Sequence, residues 1–258
     1  FDIFRETVDR GLLARKIDDA DFVVTVCESN RRYMIENLPG VDPGKIRVNY
    51  NGIDLQRFTP ADTPREPGTI FAVGRLIEKK GFYHLIRALA ILRDRGADGS
   101  IGNLKCWIAG DGPEEGALKK LIADLGLGRS VKLLGPLRQE EVRDKLRQAA
   151  CFVLPCVRAV DGNVDALPTV LLEAQACGCP VISTRLSGVP EIIDDGRSGL
   201  LVEPENDAAL AQAIANVLSD AGLAATLSTG GRRRAEERFD ARRNVAVMRS
   251  WLFSRNDA

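Results

Sequence analysis

Two carboxylates, Asp165 and Glu173, stand eight positions apart, the first in a loop and the second within the apolar stretch LPTVLLEAQACGCP at 167–180. Carboxylates accept strong, directional hydrogen bonds, which suits them to holding sugar hydroxyls. The same loop adds Asp161 and Asn163. Pro168 falls near a first helical position, where its missing N–H costs nothing. Gly178 lies where a helix end takes a left-handed residue, and Pro180 forbids continuation. A helix here would aim its N-terminus at the loop, and its free N–H groups and positive dipole end would form an anion site. Two cations are placed to serve the same anion. Arg75 follows Gly74, and Lys79-Lys80-Gly81 opens an amphipathic segment. A guanidinium and an ammonium beside a helix N-terminus would neutralise a diphosphate without a metal. A solvated basic turn would contain the same residues.

The other candidates are weaker. Gly110-Asp111-Gly112-Pro113 would let backbone approach a ligand closely, although turns use the same residues. It is not the dinucleotide fingerprint G-x-G-x-x-G, and no ribose-binding acid follows it. Gly135-Pro136-Leu137 could offer backbone groups to a base edge, or be a plain turn. His84 is the one histidine of the chain. It falls one turn inside a helix with Leu85 and Ile86, so no histidine-based triad or metal cluster is expected, and it reads as structural or as a minor contact. Ser187-Gly188-Val189-Pro190-Glu191 is expected to line the same cleft as a turn into a short helix, with Glu191 otherwise a first-turn acid.

These residues need elements to hold them. The 258 residues suffice for one large or two medium domains. Thirty-six basic residues balance thirty-six acidic ones, so no net field points to nucleic acid or an anionic membrane. No apolar run is long enough to span a bilayer, and FDIFRETVDR has no signal-peptide core. The first residue is Phe1, not Met, which suggests a fragment or a processed chain. The six cysteines lie mostly in apolar strand-like runs, as reduced, buried thiols of a cytosolic protein do. Their C-x4-C and C-x-C spacings fit no common zinc pattern, and no metal is expected.

Strands are expected at 22–29, 45–54, 69–75, 103–110, 130–135, 151–156, 181–184 and 199–203. Ser29 is read as a helix N-cap and Asn51-Gly52 as a turn. Helices alternate with the strands at 81–96, 113–126, 138–149 and 167–178, and follow at 207–219, 223–238 and 241–253. Residues 55–68, rich in Pro, Asp and Thr, read as a linker and the best domain boundary. Alternating strand and helix with apolar strands predicts an α/β chain built on a doubly wound, Rossmann-like parallel sheet. Ligands of such sheets bind at the carboxyl ends of the strands, and every candidate above falls there.

VGRLIEKKGF, IAGDGP, VKLLGPL, DALPTVLLEAQACGCPVIST and GVPEIIDDGRSGLLVEPEN, in that order, resemble the retaining glycosyltransferases of the GT-B fold, family 4 (glycosyl transferases group 1). The resemblance runs over about 45–239 and implies roles by position. Arg75 and Lys80 match the basic pair that holds the donor diphosphate. Glu173 matches the second acid of the family's E-x7-E motif, which takes the ribose hydroxyls. Asp165 stands at the first acid, which contacts the transferred sugar; here it is Asp rather than Glu, one methylene shorter. Ala166, Leu167 and Thr169 would offer backbone N–H groups to the phosphate, and Gly74, Gly110, Gly112 and Leu137 would line the donor pocket.

The resemblance further implies a metal-independent transfer, without cofactor, from a UDP-, GDP- or ADP-sugar to the hydroxyl of a sugar or lipid-linked sugar acceptor, in polysaccharide or glycolipid synthesis. It divides the chain into 1–56, the end of an N-terminal acceptor domain and the crossing; 57–239, the donor-binding domain; and 240–258, a crossover helix. Most of the acceptor domain would then be missing, and Val245, Val247, Met248, Trp251 and Leu252 would form an apolar face partly without its partner. A cytoplasmic location is implied, with peripheral contact at the inner membrane face and a plain solvated face as the two readings of the Arg-rich final helices. A non-catalytic nucleotide-sugar-binding module and a GT-B sugar-nucleotide epimerase share this architecture; the E-x7-E pattern argues against the epimerase.

Overall fold

Short runs of β-branched and aromatic residues, apolar on both faces, are stable only as parallel strands covered by helices on each side. The computed structural model describes residues 3–5, 7–96 and 104–253. A small leading unit comes first, with α1 (Arg10–Asp19), β1 (Val23–Thr25), α2 (Glu28–Asn37) and β2 (Ile46–Val48). Its two strands pair in parallel over Ile17, Met34, Leu38 and Ile46.

The main unit then alternates β3 (Glu66–Val73), α3 (Phe82–Arg95), β4 (Lys105–Ala109), α4 (Glu115–Asp124), β5 (Val131–Gly135), α5 (Gln139–Gln148) and β6 (Ala149–Leu154). It continues with α6 (Thr169–Ala176), β7 (Val181–Thr184), α7 (Val189–Ile192), β8 (Leu200–Val202), α8 (Asp207–Ser219), α9 (Ala221–Arg238) and α10 (Ala241–Phe253). The strands form one parallel sheet in the order β5-β4-β3-β6-β7-β8. From β3 the chain steps outward to β4 and β5, then returns to the other flank of β3 as β6. The order therefore reverses between β3 and β6, and a crevice opens beyond their carboxyl ends. Phe71 and Phe152, fully buried on these two strands, meet edge to face at 6.1 Å. Each such burial contributes roughly 1.5–3 kcal/mol.

The doubly wound sheet stands as predicted, and the differences lie at the joins. β1 is three residues long, because the chain turns into α2 at Glu28, and the N-cap is Cys27 rather than Ser29. β2 ends at Val48, and Asn51-Gly52 forms no turn. Gly52 is glycine for another reason: a Cβ there would lie 2.3 Å from the Ala241 Cα. Residues 55–68 are largely exposed but anchored at two points. Phe58 is 1% exposed, and Arg65 donates to the carbonyls of Leu146, Arg147 and Ala149 at 2.7–3.2 Å and of Cys177 at 2.8 Å. Asn103, expected to open a strand, lies outside the described residues, and β4 begins at Lys105.

Arg65 thus satisfies the last carbonyls of α5 and α6, where a cation also complements the negative end of the dipole. Arg65→Ala is expected to destabilise the chain by roughly 1.5–3 kcal/mol. An urea midpoint that falls with an unchanged slope would show it.

Candidate functional site

The crevice beyond β3 and β6 is walled by the turn after β3 and the irregular segment between β6 and α6. Gly74 donates to the Ala109 carbonyl at 3.0 Å, and the Lys80 stem runs past it, within 3.3–3.6 Å of where a Cβ would stand. Gly81 then turns the chain into α3 with φ of 69°, and a Cβ there would meet the Pro155 carbonyl at 1.8 Å. Only glycine fits that crossing.

Asp165 sits between two ammonium groups. Lys80 Nζ contacts one carboxylate oxygen and Lys79 Nζ the other at 3.2 Å, with all three side chains 12–15% exposed. Lys79 also donates to Asn163 Oδ1 at 3.1 Å. Cys156 Sγ lies 3.8 Å from Asp165, and burial, then the Asp165 charge, push its thiol up to about 12. It is therefore no thiolate nucleophile at neutral pH. α6 follows with Pro168 as N-cap and no side-chain cap on its first N–H groups. Gly178 closes the helix at φ of 61°, as the sequence requires. The Ala176 and Cys177 carbonyls are held by Arg232 at 2.7 Å and Arg65 at 2.8 Å, so the helix is fixed by its far end.

Of the predicted site residues, Gly74, Lys80, Leu137, Thr169 and Glu173 line one cavity of about 380 Å3. Val73, Gln139, Val142 and Val170 complete its wall, and Gln139 and Val142 lie in no motif that would reveal them. Asp165 reaches the cavity through Lys80. Ala166 and Leu167 form the approach to α6; Leu167 is buried, and the Ala166 carbonyl accepts from Gly188 at 3.1 Å. Arg75, next to the lining residue Gly74, is exposed, is not among the residues lining the cavity, and makes no side-chain hydrogen bond or ion pair with any described residue.

Gly110 and Gly112 do not line the cavity. Their φ values are 131° and 156°, and a Cβ on either would strike the backbone of Gly74 at 1.9 Å or of Leu76 at 2.4 Å. The close approach they permit in this structure is to the turn carrying Arg75. Glu191 does not line the cleft either; its carboxylate accepts from the backbone of Glu28 and Ser29 at the start of α2. His84 Nδ1 lies 2.6 Å from Asp207 Oδ1, joining α3 to α8. All six cysteines are free and buried, and among the described residues no three His, Cys, Asp or Glu gather as metal ligands.

Burial raises the Glu173 carboxyl above its usual range, against a hydrogen bond from Gln139 and the Arg57 charge. The native state thus holds this proton more tightly than the unfolded chain does. Stability is favoured below the ordinary carboxylate value and declines as pH rises through the raised native one. Glu173→Gln should remove that decline. Melting scans should show the variant gaining on the native protein across this window, with a constant gap above it.

The Glycosyl transferases group 1 profile matches residues 57–234. The putative colanic acid biosynthesis glycosyltransferase WcaL of Escherichia coli K12 is 41% identical over 174 residues, which is 66% of this chain and 41% of that protein. The GDP-mannose-dependent alpha-(1-6)-phosphatidylinositol monomannoside mannosyltransferase of Mycolicibacterium smegmatis is 31% identical over 264 residues, or 97% of this chain and 67% of that protein. The crystal structure of Anabaena HepE with UDP-glucose superposes with a TM-score of 0.80 at 21% identity, covering 94% of this chain and 66% of that one. The fold is that of the GT-B glycosyltransferases. The chain belongs to the group 1 glycosyltransferase family. It spans about two fifths of the length of the relatives it matches at 39–41% identity.

Proposed function

We propose that the chain is the donor-binding part of a glycosyltransferase that moves a sugar from a nucleoside diphosphate to an acceptor hydroxyl, in polysaccharide or glycolipid synthesis. One observation carries this reading: Lys80, the uncapped start of α6 and Glu173 surround a single cavity at the switch point of the sheet. Lys80, Arg75 and the α6 N–H groups meet the charge that grows on the departing diphosphate. Glu173, desolvated in the free protein, regains hydrogen bonds from ribose hydroxyls. Asp165 faces the transferred sugar from between its two lysines. No nucleophile is assigned, in keeping with a retaining transfer on one face of the sugar, and the cations stand in for a metal. No cofactor is needed.

A relative named as GDP-mannose-dependent and a neighbour solved with UDP-glucose support a GDP- or UDP-sugar, with ADP-sugars the third choice. Val245, Leu252 and Phe253 on α10 are 56–62% exposed, and we read this face as the seat of an acceptor-binding domain. Trp251 and Met248 do not share that exposure; Trp251 packs edge to face on Phe22 at 6.4 Å, with Arg47 over both rings. No single helix among the described residues is long and apolar enough to cross a membrane. Buried thiols suit a cytoplasmic site, and a lipid-linked acceptor would bring the protein to the inner membrane face.

Calorimetry with UDP, GDP and ADP tests the reading. One of them should bind, and its sugar should bind at the same site. Binding of none would end it.

A further inference from the structure

The start of α2 lacks a cap of its own, because Cys27 offers it no side-chain acceptor. The acceptor comes from 163 residues away. Glu191 takes the N–H of Glu28 on one oxygen at 2.7 Å and the N–H of Ser29 on the other at 2.8 Å. Tyr50 donates its hydroxyl to the first oxygen at 2.9 Å, and Arg238 supports that hydroxyl at 3.2 Å. A carboxylate on a helix N-terminus is the favoured partner on both hydrogen-bonding and dipole grounds.

Glu191 is itself held. Arg234 grips the carbonyls of Glu191 and Ile192 at 2.9 and 2.6 Å. Three residues before it, Gly188 donates to the Ala166 carbonyl, and a Cβ on Gly188 would stand 2.2 Å from that oxygen and 3.0 Å from Cys27 Cβ. The α2 cap, the α7 turn and the approach to α6 therefore meet at one point. Ser187, which opens that turn, holds φ at 51° with a buried, unpartnered hydroxyl, and such strain persists only where the surroundings impose it.

We propose that Glu191 is a positioning residue for transfer, whose carboxylate couples the leading unit, through α7, to the loop that receives the donor phosphates. This rests on the donor-binding reading above. It differs in what it assigns: Glu191 touches no substrate and sets where the leading unit stands against the site.

Amide hydrogen exchange on the chain, alone and saturated with UDP, GDP or ADP, tests this. In the native chain the Glu28 and Ser29 amides should exchange slowly, and nucleotide should slow them further. In Glu191→Gln both should exchange about tenfold faster, the size of a lost helix cap. They should also stop responding to nucleotide, and nucleotide affinity should fall by no more than the factor by which nucleotide slowed exchange in the native chain, because coupling is reciprocal. Glu191→Asp should restore part of the nucleotide response, which a merely misfolded variant would not do. Tyr50→Phe leaves both amide bonds in place and should keep the native pattern. Equal exchange in native and Glu191→Gln would overturn the proposal, as would a nucleotide response that survives the substitution. A native chain that binds none of UDP, GDP and ADP overturns the donor reading and the positioning role together, and the nucleotide-free comparison still decides whether Glu191 caps α2.

Discussion

Lys80→Ala is expected to weaken nucleoside diphosphate binding by about one to two decades, the loss of a charge-assisted contact of roughly 1.5–3 kcal/mol. The effect should fall on binding and leave the fold nearly unchanged. Deleting one partner of a buried pair is normally destabilising, because the other charge is stranded. Here Asp165 keeps Lys79 at 3.2 Å, so it is not stranded. The same arrangement explains how Lys80 can serve two partners. In the free protein Asp165 holds the ammonium beside Gly74; on the proposed reading an arriving diphosphate would draw Lys80 away while Lys79 keeps the carboxylate. Calorimetry and melting on one preparation separate the outcomes. A large drop in melting temperature with unchanged affinity would make Lys80 a structural residue and empty the cavity of its main cation.

The largest effect on stability is expected from Gly110→Ala, about 2–6 kcal/mol from a strained backbone and an overpacked contact together. At φ of 131° an L side chain is disfavoured before any clash, and the new Cβ would stand 1.9 Å from the Gly74 carbonyl oxygen. Neither backbone can yield cheaply. Gly74 donates to Ala109 at 3.0 Å and Gly110 to the Gly135 carbonyl at 2.8 Å, so relief would shear β3, β4 and β5 apart at their ends. Because Gly74 also lines the cavity, nucleotide binding should fall with stability. Gly116→Ala supplies the contrast. Gly116 lies inside α4 with nothing within 4 Å of its Cβ position, and alanine there should stabilise by about 0.5–1 kcal/mol. If the two substitutions behave alike, the packing of Gly110 against Gly74 is wrong.

Lys80, Leu137, Thr169 and Glu173 were legible as neighbours because the motifs that carry the family resemblance fall after β3, after β5 and along α6, and strand ends converge in a doubly wound sheet. The glycines of IAGDGP were equally visible, but their purpose was not. A pattern of glycines announces a close approach without saying what approaches, and here it is the neighbouring turn. Gln139, Val142 and Val170 are ordinary helix residues whose role comes from which face the helix presents to the cavity. The caps were the least legible. Arg65 reaches Cys177 across 112 residues, Arg232 reaches Ala176 across 56, and Glu191 reaches Glu28 across 163. Local periodicity carries no trace of contacts that distant. The Pro-rich composition of 55–68 did not reveal that Phe58 and Arg65 dock there, since proline stiffens a docked segment as readily as a free one.

That docked segment decides how the chain can be taken apart. Composition would place a cut at 56/57, and a donor-binding fragment begun there would keep Phe58 and Arg65. It would lose the strand of backbone at Ile53, which donates to the Phe239 carbonyl at 2.7 Å and accepts from Ala241 at 3.1 Å. It would lose Tyr50 as well, whose ring meets Phe239 edge to face at 5.4 Å. The junction of α9 and α10 would then stand bare, and a minimal fragment should therefore start upstream of Asn49.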